Sequence, residues 1–322
     1  ADYRTWAKAN PLLFFTIDRQ FRQDKIDYYS SKYQQALVQG GRNLTSFYTK
    51  QCNHWCAAAD TLLCDFNALD KCIYDFTFKE VLEKYKNWYC GVDLSQTTDL
   101  TSVAWLAWIK ISEDGKLLAP DSNDGKRAIY INVLNYMPSA TLQRHITADK
   151  FPYEKYINKE LFLTFGAKGA RTAYDEILIH MQKIREDNDL KFETISCDPY
   201  GVASIQASLE EICNCLILQS QSPKALSPYI ELFATYVVDE QIAISKDSSD
   251  IFYRAIRNSV VAQTKDGYLE VKKPTQNQNT NYRIDPVDAM LDGIIAPIID
   301  KDKIIEAVNY DDLVDDWLDI YK

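Results

Sequence analysis

The sequence predicts an α/β fold, in which a mixed β-sheet is flanked by helices and preceded by a mainly helical N-terminal segment. Three observations support this prediction. Apolar residues recur at helical spacing over residues 1–86, three strand patterns follow one another from residue 87, and strand and helix patterns then alternate. We therefore divide the chain into a helical segment over 1–86, a sheet domain over 87–299 and an acidic helical tail over 300–322.

The N-terminal segment contains three predicted helical stretches. Residues 21–39 carry tyrosines, alanine and leucine at mixed helical spacing, residues 55–70 are helical or irregular, and residues 76–86 form a short amphipathic helix. Asp75 or Thr77 is suited to cap the last of these helices.

Three consecutive strands are predicted at 89–93, 102–109 and 128–135. The sequence Glu113-Asp114-Gly115 between the second and third is a hairpin-type turn signal, which favours antiparallel pairing. Residues 136–172 read as a long irregular excursion. Beyond it, helices are predicted at 172–188, 203–213, 227–238, 250–261 and 286–298, and strands at 192–198, 216–219, 242–245 and 268–273.

The bulk composition excludes a few classes of protein. With 36 basic and 46 acidic residues the formal net charge is −10, so the chain is not a strongly basic nucleic-acid binder, although a local basic surface remains possible. No apolar run approaches the roughly 20 residues that span a bilayer, and no signal peptide is visible. The eight cysteines are therefore expected to be reduced thiols.

Two aspartates stand where an apolar strand pattern ends. Asp93 closes the run Trp88–Val92, and Asp198 closes a second run before Pro199. A carboxylate at the end of a buried strand costs free energy unless a partner compensates it, and a hard cation is one such partner. A plain turn acid is the alternative at Asp198.

A third acidic group lies at a predicted helix start. Pro286 suits the first helical turn, which predicts Asp285 at the N-cap, and Asp288 follows within one turn. Asp292 lies four residues further along the same helix face. Capping alone would also account for an aspartate here, so the third member of the set stays open between Asp285 and Asp288.

Phosphodiester hydrolysis by two divalent ions is the chemistry that best uses three such acids. A central carboxylate bridges the two ions and flanking carboxylates hold one each, which makes Asp93 the bridging candidate. Other catalytic motifs are missing: there is no Gly-x-x-x-x-Gly-Lys-Ser/Thr loop and no Gly-x-Ser-x-Gly elbow, and the three histidines are scattered. A glycosidase carboxylate pair is not dismissed by residue type.

The chain resembles the large subunit of the terminases of tailed bacteriophages. The most specific segment is GVDLSQTTDLT at 91–101, which is similar to the strand-turn motif that opens the family's nuclease domain. Shorter similar segments lie at 6–11, 47–55, 152–153, 197–200, 258, 272–274 and 283–286. The resemblance covers nearly the whole chain, but motifs of the family's ATPase domain are absent, and residues 1–86 resemble the end of that domain and its linker.

The resemblance implies an RNase H-like nuclease domain that binds two Mg²⁺ or Mn²⁺ ions. By position, Asp93 matches the family's first acid, Asp198 the second and Asp285 the third, with Asp288 as a competing metal ligand. Lys272, Lys273 and Arg283 are candidates for phosphate contacts, and an ordinary solvated surface is the alternative for them.

The resemblance also implies double-stranded DNA as substrate, the portal protein and small terminase subunit as partners, and the cytoplasm of the bacterial host as location. A chain without the ATPase motifs is expected to cut DNA but not to translocate it. Two alternatives remain: a non-catalytic docking module of the motor that binds portal or small subunit, and another RNase H-like nuclease or recombinase.

Overall fold

The computed structural model of the protein describes residues 3–39, 47–48, 50–53, 61–95, 100–157, 162–165, 174–247, 249–274 and 282–299. The chain divides into two units between Leu62 and Leu63. The sequence-predicted boundary at residue 86 lies inside the second unit, because residues 63–86 already contribute two helices and a strand to that unit. The predicted acidic tail lies outside the described residues.

The first unit is mainly helical, as predicted, and is built around aromatic side chains. Its elements are helices α1 (Tyr3–Ala9), α2 (Pro11–Phe14) and α3 (Gln23–Gln39) and the short strand β1 (Thr61–Leu62). Trp6 packs edge-on against Phe47 at a centroid distance of 5.8 Å, and Phe14 packs against Tyr29 at 4.8 Å. These rings form a small core of their own.

The second unit alternates strands and helices. Its helices are α4 (Phe66–Asp70), α5 (Phe78–Lys84), α6 (Leu142–Asp149), α7 (Glu154–Ile157), α8 (Tyr174–Asp187), α9 (Pro199–Val202), α10 (Gln206–Ile212), α11 (Pro223–Val238), α12 (Ser249–Asn258) and α13 (Asp285–Ile299). Its strands are β2 (Ile73–Tyr74), β3 (Asn87–Asp93), β4 (Thr101–Ile111), β5 (Lys126–Pro138), β6 (Phe162–Phe165), β7 (Lys191–Cys197), β8 (Cys213–Leu218), β9 (Ile242–Ser245), β10 (Val260–Gln263) and β11 (Leu269–Lys272).

Eight of the described strands form one mixed sheet in the order β2-β9-β5-β4-β3-β7-β8, with β6 beside β5. The three consecutive strands β3, β4 and β5 pair antiparallel, as the turn signal between the last two predicted. On the other side of β3, β7 pairs parallel, and β8 pairs parallel with β7. Strand β3 therefore lies inside the sheet, between an antiparallel and a parallel neighbour.

Helices cover both faces of this sheet. Alternate residues of β3 enter different cores: Trp88, Cys90 and Val92 join a cluster that includes side chains of α5, α8 and α10. Tyr89 joins the opposite cluster, with side chains of α11, α12 and α13. Helix α13 is buried along almost its whole length, which agrees with a sequence that is apolar apart from three aspartates.

Several element boundaries differ from those that the sequence predicts. Residues 260–261, predicted as the end of a helix, begin strand β10, which forms an antiparallel hairpin with β11. Strand β8 begins at Cys213, where a helix end was predicted. Helix α11 begins at Pro223, with the Ser222 hydroxyl accepting from the amide of Ala225. The predicted excursion over 136–172 contains helices α6 and α7 and strand β6.

Two further expectations concern the whole chain. Within the described ranges, no helix has both the length and the apolar character needed to cross a membrane. The cysteines in the part of the chain that the structure describes are free thiols, and Cys64, Cys72, Cys90 and Cys197 are buried.

Candidate metal centre

Strand β3 carries Asp93 to the end of a buried run. Its residues from Trp88 to Val92 are buried, and Asp93, the last residue of the strand, is partly buried. Asp93 pairs with Ser102 of β4, whose hydroxyl donates to the Oδ1 atom of Asn135 at 2.9 Å. The end of β3 is therefore polar on a sheet that is otherwise apolar in this region.

Asp198 lies beside Asp93 because their strands run parallel. Val92 pairs with Cys197, so the residues that follow them, Asp93 and Asp198, lie side by side at the same edge of the sheet. Asp198 also caps helix α9, since its Oδ1 atom accepts from the amide of Tyr200 at 3.0 Å. The turn-acid interpretation and the site interpretation are thus compatible at this residue. The Tyr200 side chain beside it is 90% exposed.

Helix α13 crosses β3 at a contact between two glycines. A Cβ atom added to Gly91 would lie 2.5 Å from the amide nitrogen of Gly293, and one added to Gly293 would lie 2.7 Å from the amide nitrogen of Gly91. No side chain fits at such distances, so glycine at both positions permits backbone contact. Asp93 lies two residues beyond Gly91 on the same face of the strand, and therefore faces α13.

Three aspartates lie on the part of α13 that approaches this strand end. Asp285, Asp288 and Asp292 are spaced by three and four residues, which places them on one helix face. The carbonyl of Ile284 accepts from the amides of Val287 and Asp288. Ile284 therefore takes the N-cap position that was predicted for Asp285, and Asp285 is the first residue of the helix. Asp285 and Asp292 are buried, whereas Asp288 is half-buried.

The five aspartates lie close enough to affect one another. Burial raises the pKa of Asp93 well above its ordinary value, and the negative charges of Asp288, Asp285, Asp292 and Asp198 raise it further. Burial likewise raises the pKa of Asp292, with added contributions from Asp288 and Asp198. The structure thus brings together all four acids that the sequence predicted, from three elements separated in the chain.

Sequence reasoning left three residues out of this cluster. Asp292 was noted on the same helix face as Asp288 but was not included as a ligand, and it is completely buried. Gln221 donates to its Oδ2 atom at 3.2 Å. Tyr174 also lies near Asp93. Burial and the charge of Asp93 both raise the pKa of the Tyr174 phenol. The helical spacing from Asp288 could have indicated Asp292, but no local signal marks Gln221 or Tyr174.

The donor atoms suit a hard divalent cation. All five groups supply carboxylate oxygens, the ligands that Mg²⁺ and Mn²⁺ prefer. The Oδ1 atom of Asp292 is buried and has no hydrogen-bond partner among the described residues, so it retains an unused acceptor. Among the residues that the structure describes, no three Asp, Glu, His or Cys side chains form a group that could hold a metal ion.

The three predicted phosphate-contacting residues lie in two different environments. Lys272, at the end of β11, forms an exposed ion pair with Glu270 at 2.8 Å, and Lys273 follows it on the surface. Arg283 is only 7% exposed and forms a buried ion pair with Asp149 at 2.8 Å. Since its guanidinium is occupied inside the protein, Arg283 does not fit the expected contact with a phosphate.

Solved terminase structures from two phages are similar to this chain. The large terminase of the HK97 bacteriophage is 17% identical, with a TM-score of 0.56 over 91% of this chain and 53% of that one. The chain thus spans about half the length of that terminase. The large terminase nuclease of the thermophilic phage G20c is 13% identical, with a TM-score of 0.42 over 72% of this chain and 97% of its own, and a form of it with bound magnesium gives 14%, 0.41, 72% and 96%.

A curated protein also matches part of the chain. A cytochrome P450 1A1 from Chaetodon capistratus is 24% identical over 139 residues, which is 42% of this chain and 26% of that protein. A match to 26% of that protein, at this identity, assigns no family.

The fold and the family agree with the sequence prediction. The mixed sheet with helices on both faces is the RNase H-like fold of the terminase nucleases, as the likeness to the HK97 protein shows. The family model described as "Terminase large subunit, endonuclease domain" matches residues 1–297. The chain therefore belongs to the family of terminase large-subunit endonuclease domains.

Proposed function

We propose that this chain is a divalent-metal-dependent endonuclease that hydrolyses phosphodiester bonds of double-stranded DNA by a two-metal mechanism. The observation that carries the proposal is the convergence of five aspartates: Asp93, Asp198, Asp285, Asp288 and Asp292. The charges of the other four add to burial in raising the pKa of Asp93. Burying carboxylates close together lowers the stability of the fold. In a family named for its endonuclease domain, cation binding best explains such a cluster.

The proposed ligands have distinct parts in the site. Asp93, whose pKa is raised by burial and by the charges of the other four aspartates, would be the ligand shared by two Mg²⁺ or Mn²⁺ ions, while Asp198 and Asp285 would each hold one of them. Asp288 competes with Asp285 for the third position. Divalent ions held by these carboxylates would activate a water molecule and offset the negative charge that develops on the phosphate. Asp198 keeps one oxygen committed to its helix cap, which leaves its second oxygen for a ligand role.

The DNA-facing surface and the partners follow from the same proposal. Lys272 and Lys273 are exposed, and the surface ion pair of Lys272 is weak enough for a phosphate to replace its partner. We propose these two lysines, without Arg283, as phosphate contacts. Family membership supports the portal protein and the small terminase subunit as partners, and the cytoplasm of the bacterial host as the place of action.

Plasmid cleavage tests the proposal directly. Supercoiled plasmid incubated with the purified chain and Mn²⁺ should be nicked and linearised, and EDTA should stop the reaction. Asp93→Asn preserves the shape of the side chain and should reduce cleavage at least about 100-fold, since one ligand of both ions loses its charge. Asp114→Asn, at an exposed turn acid, is the control and should cut like the parent. Equal cleavage by Asp93→Asn and the parent would refute the proposal.

A further inference from the structure

A buried charged cluster stands immediately before helix α13. Arg283 lies two residues ahead of Asp285, and its Nε atom donates to the Oδ2 atom of Asp149 at 2.8 Å. A terminal nitrogen of the same guanidinium donates to the Oδ1 atom at 3.2 Å. Two parallel hydrogen bonds between a planar guanidinium and a carboxylate fix orientation as well as distance.

Two more side chains complete what we call the Arg283 cluster, which consists of His145, Asp149, Tyr153 and Arg283. A terminal nitrogen of Arg283 lies 2.8 Å from the Nδ1 atom of His145, and since a guanidinium has no acceptor, the imidazole accepts. The Tyr153 hydroxyl donates to the Oδ2 atom of Asp149 at 2.9 Å. All four residues are buried.

Main-chain contacts extend the cluster to three parts of the fold. Arg254 of α12 donates to the carbonyl of Asp149, at the end of α6, at 2.7 Å. Asn258, the last residue of α12, donates to the carbonyl of Arg283 at 3.3 Å. Helix α6, helix α12 and the chain entering α13 are therefore joined at one point. Because the next residue, Ile284, accepts the first hydrogen bonds of α13, a shift of Arg283 is passed to that helix.

Stability alone is a poor reason for burying these charges. Burial by itself would raise the pKa of Asp149, but the hydrogen bonds and charge of Arg283 and the hydroxyl of Tyr153 lower the pKa below the ordinary value, so the carboxylate is ionised. Replacing a buried ion pair by apolar residues of similar volume is often neutral or stabilising. The well-attested advantage of such a pair is a unique geometry, and geometry is what a metal-binding helix requires.

We propose that the Arg283 cluster is a positioning device, which fixes the entry of α13 and thereby orients Asp285 and Asp288 towards Asp93 for metal binding. The inference rests on the proposed function, because a positioning role presupposes that Asp285 and Asp288 bind metal. It also gives the buried Arg283 a role in place of the expected phosphate contact.

Metal affinity is the quantity that tests this role. Asp149→Asn keeps the shape of the side chain and removes the charge that orients Arg283. Titration calorimetry with Mn²⁺ on the folded variant should show affinity weaker by roughly 10- to 100-fold, as when residues that support metal ligands are changed. Plasmid cleavage should recover towards the parent rate at saturating Mn²⁺, with the KM for DNA unchanged. Parent-like Mn²⁺ affinity in folded Asp149→Asn would overturn the inference.

Two milder variants keep the test decisive if Asp149→Asn does not fold. Arg283→Lys retains the charge but lacks the planar fork, and Tyr153→Phe removes one hydrogen bond to Asp149. Both should weaken Mn²⁺ binding severalfold, and parent affinity in both would overturn the inference.

A matched control separates positioning from general destabilisation. Thr77→Ala removes the capping box of α5, which packs on the sheet face opposite α13. It should leave Mn²⁺ affinity unchanged, and an equal loss in this control would overturn the positioning role. Asp93→Asn separates the two proposals: if it binds Mn²⁺ like the parent, the metal site itself is refuted. If Asp93→Asn loses the metal while Asp149→Asn keeps it, only the positioning role falls.

Discussion

At the scale of single residues, Asp93 shows that the carboxylates of the site lower the stability of the folded protein. Burial and four neighbouring carboxylates raise its pKa, and burial raises that of Asp292 as well. In the unfolded chain both groups have ordinary carboxyl values near 4. Above that value the folded protein therefore binds more protons than the unfolded one. The metal-free protein consequently loses stability as pH rises from the ordinary value through the raised folded values.

The loss of stability with rising pH leads to a prediction for Asp93→Asn. In EDTA, the free energy of unfolding of the parent should fall between about pH 5 and pH 8. Asp93→Asn should be more stable than the parent at the upper pH, by about 1 kcal/mol or more, because a costly buried charge is gone. Urea unfolding at both pH values measures the difference. Asp114→Asn, at an exposed acid, should give no such gain, and a parent that grows more stable towards pH 8 would contradict the prediction.

The sequence identified the acids whose signals are local. Asp93 and Asp198 follow apolar strand runs, and Asp285 and Asp288 accompany a proline at a helix start, so short windows were sufficient. Arg283 was placed on the surface because its partner Asp149 lies 134 residues away in the chain. Gln221 was missed for the same reason, since its contact with Asp292 spans 71 residues. Partners brought together only by tertiary structure leave no pattern in a short window.

At the scale of elements, the contact between β3 and α13 sets the geometry of the site. The Gly91–Gly293 contact lets the helix approach the strand backbone, and the acids of α13 reach Asp93 as a result. Gly91→Ala should cost roughly 1–3 kcal/mol of stability, because the new Cβ meets main-chain atoms that cannot rotate away. It should also weaken Mn²⁺ binding by displacing α13. Chemical denaturation and calorimetry measure the two effects.

A second glycine provides the control for this substitution. Gly115 has a φ of 81°, and an added Cβ would lie 3.5 Å from the nearest atom of Tyr74. Gly115→Ala therefore introduces backbone strain without a clash, and should lower stability by about 1–2 kcal/mol while Mn²⁺ affinity stays at the parent value. Unchanged metal affinity in Gly91→Ala would show that the helix contact does not determine the site.

Predicted elements were most accurate where periodicity and capping agree. Residues 76–86 were predicted as a helix with Thr77 as one possible cap, and α5 begins after Thr77 with a complete capping box to Glu80. Strand β10 was missed because Val260 and Val261 extend the apolar pattern of α12, and only the pairing with β11 fixes them as a strand. The start of α11 was placed late, although Ser222 and Pro223 are a cap and a first-turn proline.

At the scale of the whole molecule, an acidic chain is proposed to act on a polyanion. With a formal net charge of −10, long-range attraction does not bring DNA to this protein. Divalent cations at the aspartate cluster would reverse the local charge where the phosphate must lie. The same ions would relieve the repulsion that raises the pKa of Asp93, so metal binding and folding stability are thermodynamically linked.

That linkage predicts a concentration-dependent gain in stability with Mn²⁺. An ion that binds only the folded state adds about 2.7 kcal/mol when its free concentration is 100 times the dissociation constant. Thermal unfolding of the parent should shift upwards steadily with Mn²⁺, and the shift should be larger near pH 8 than near pH 5, where protons compete for Asp93. Asp93→Asn should lose most of the shift, whereas Thr77→Ala should keep it from a lower starting point. A shift of equal size in Asp93→Asn would place the stabilising ion elsewhere on the protein, and would separate the metal response from the aspartate cluster.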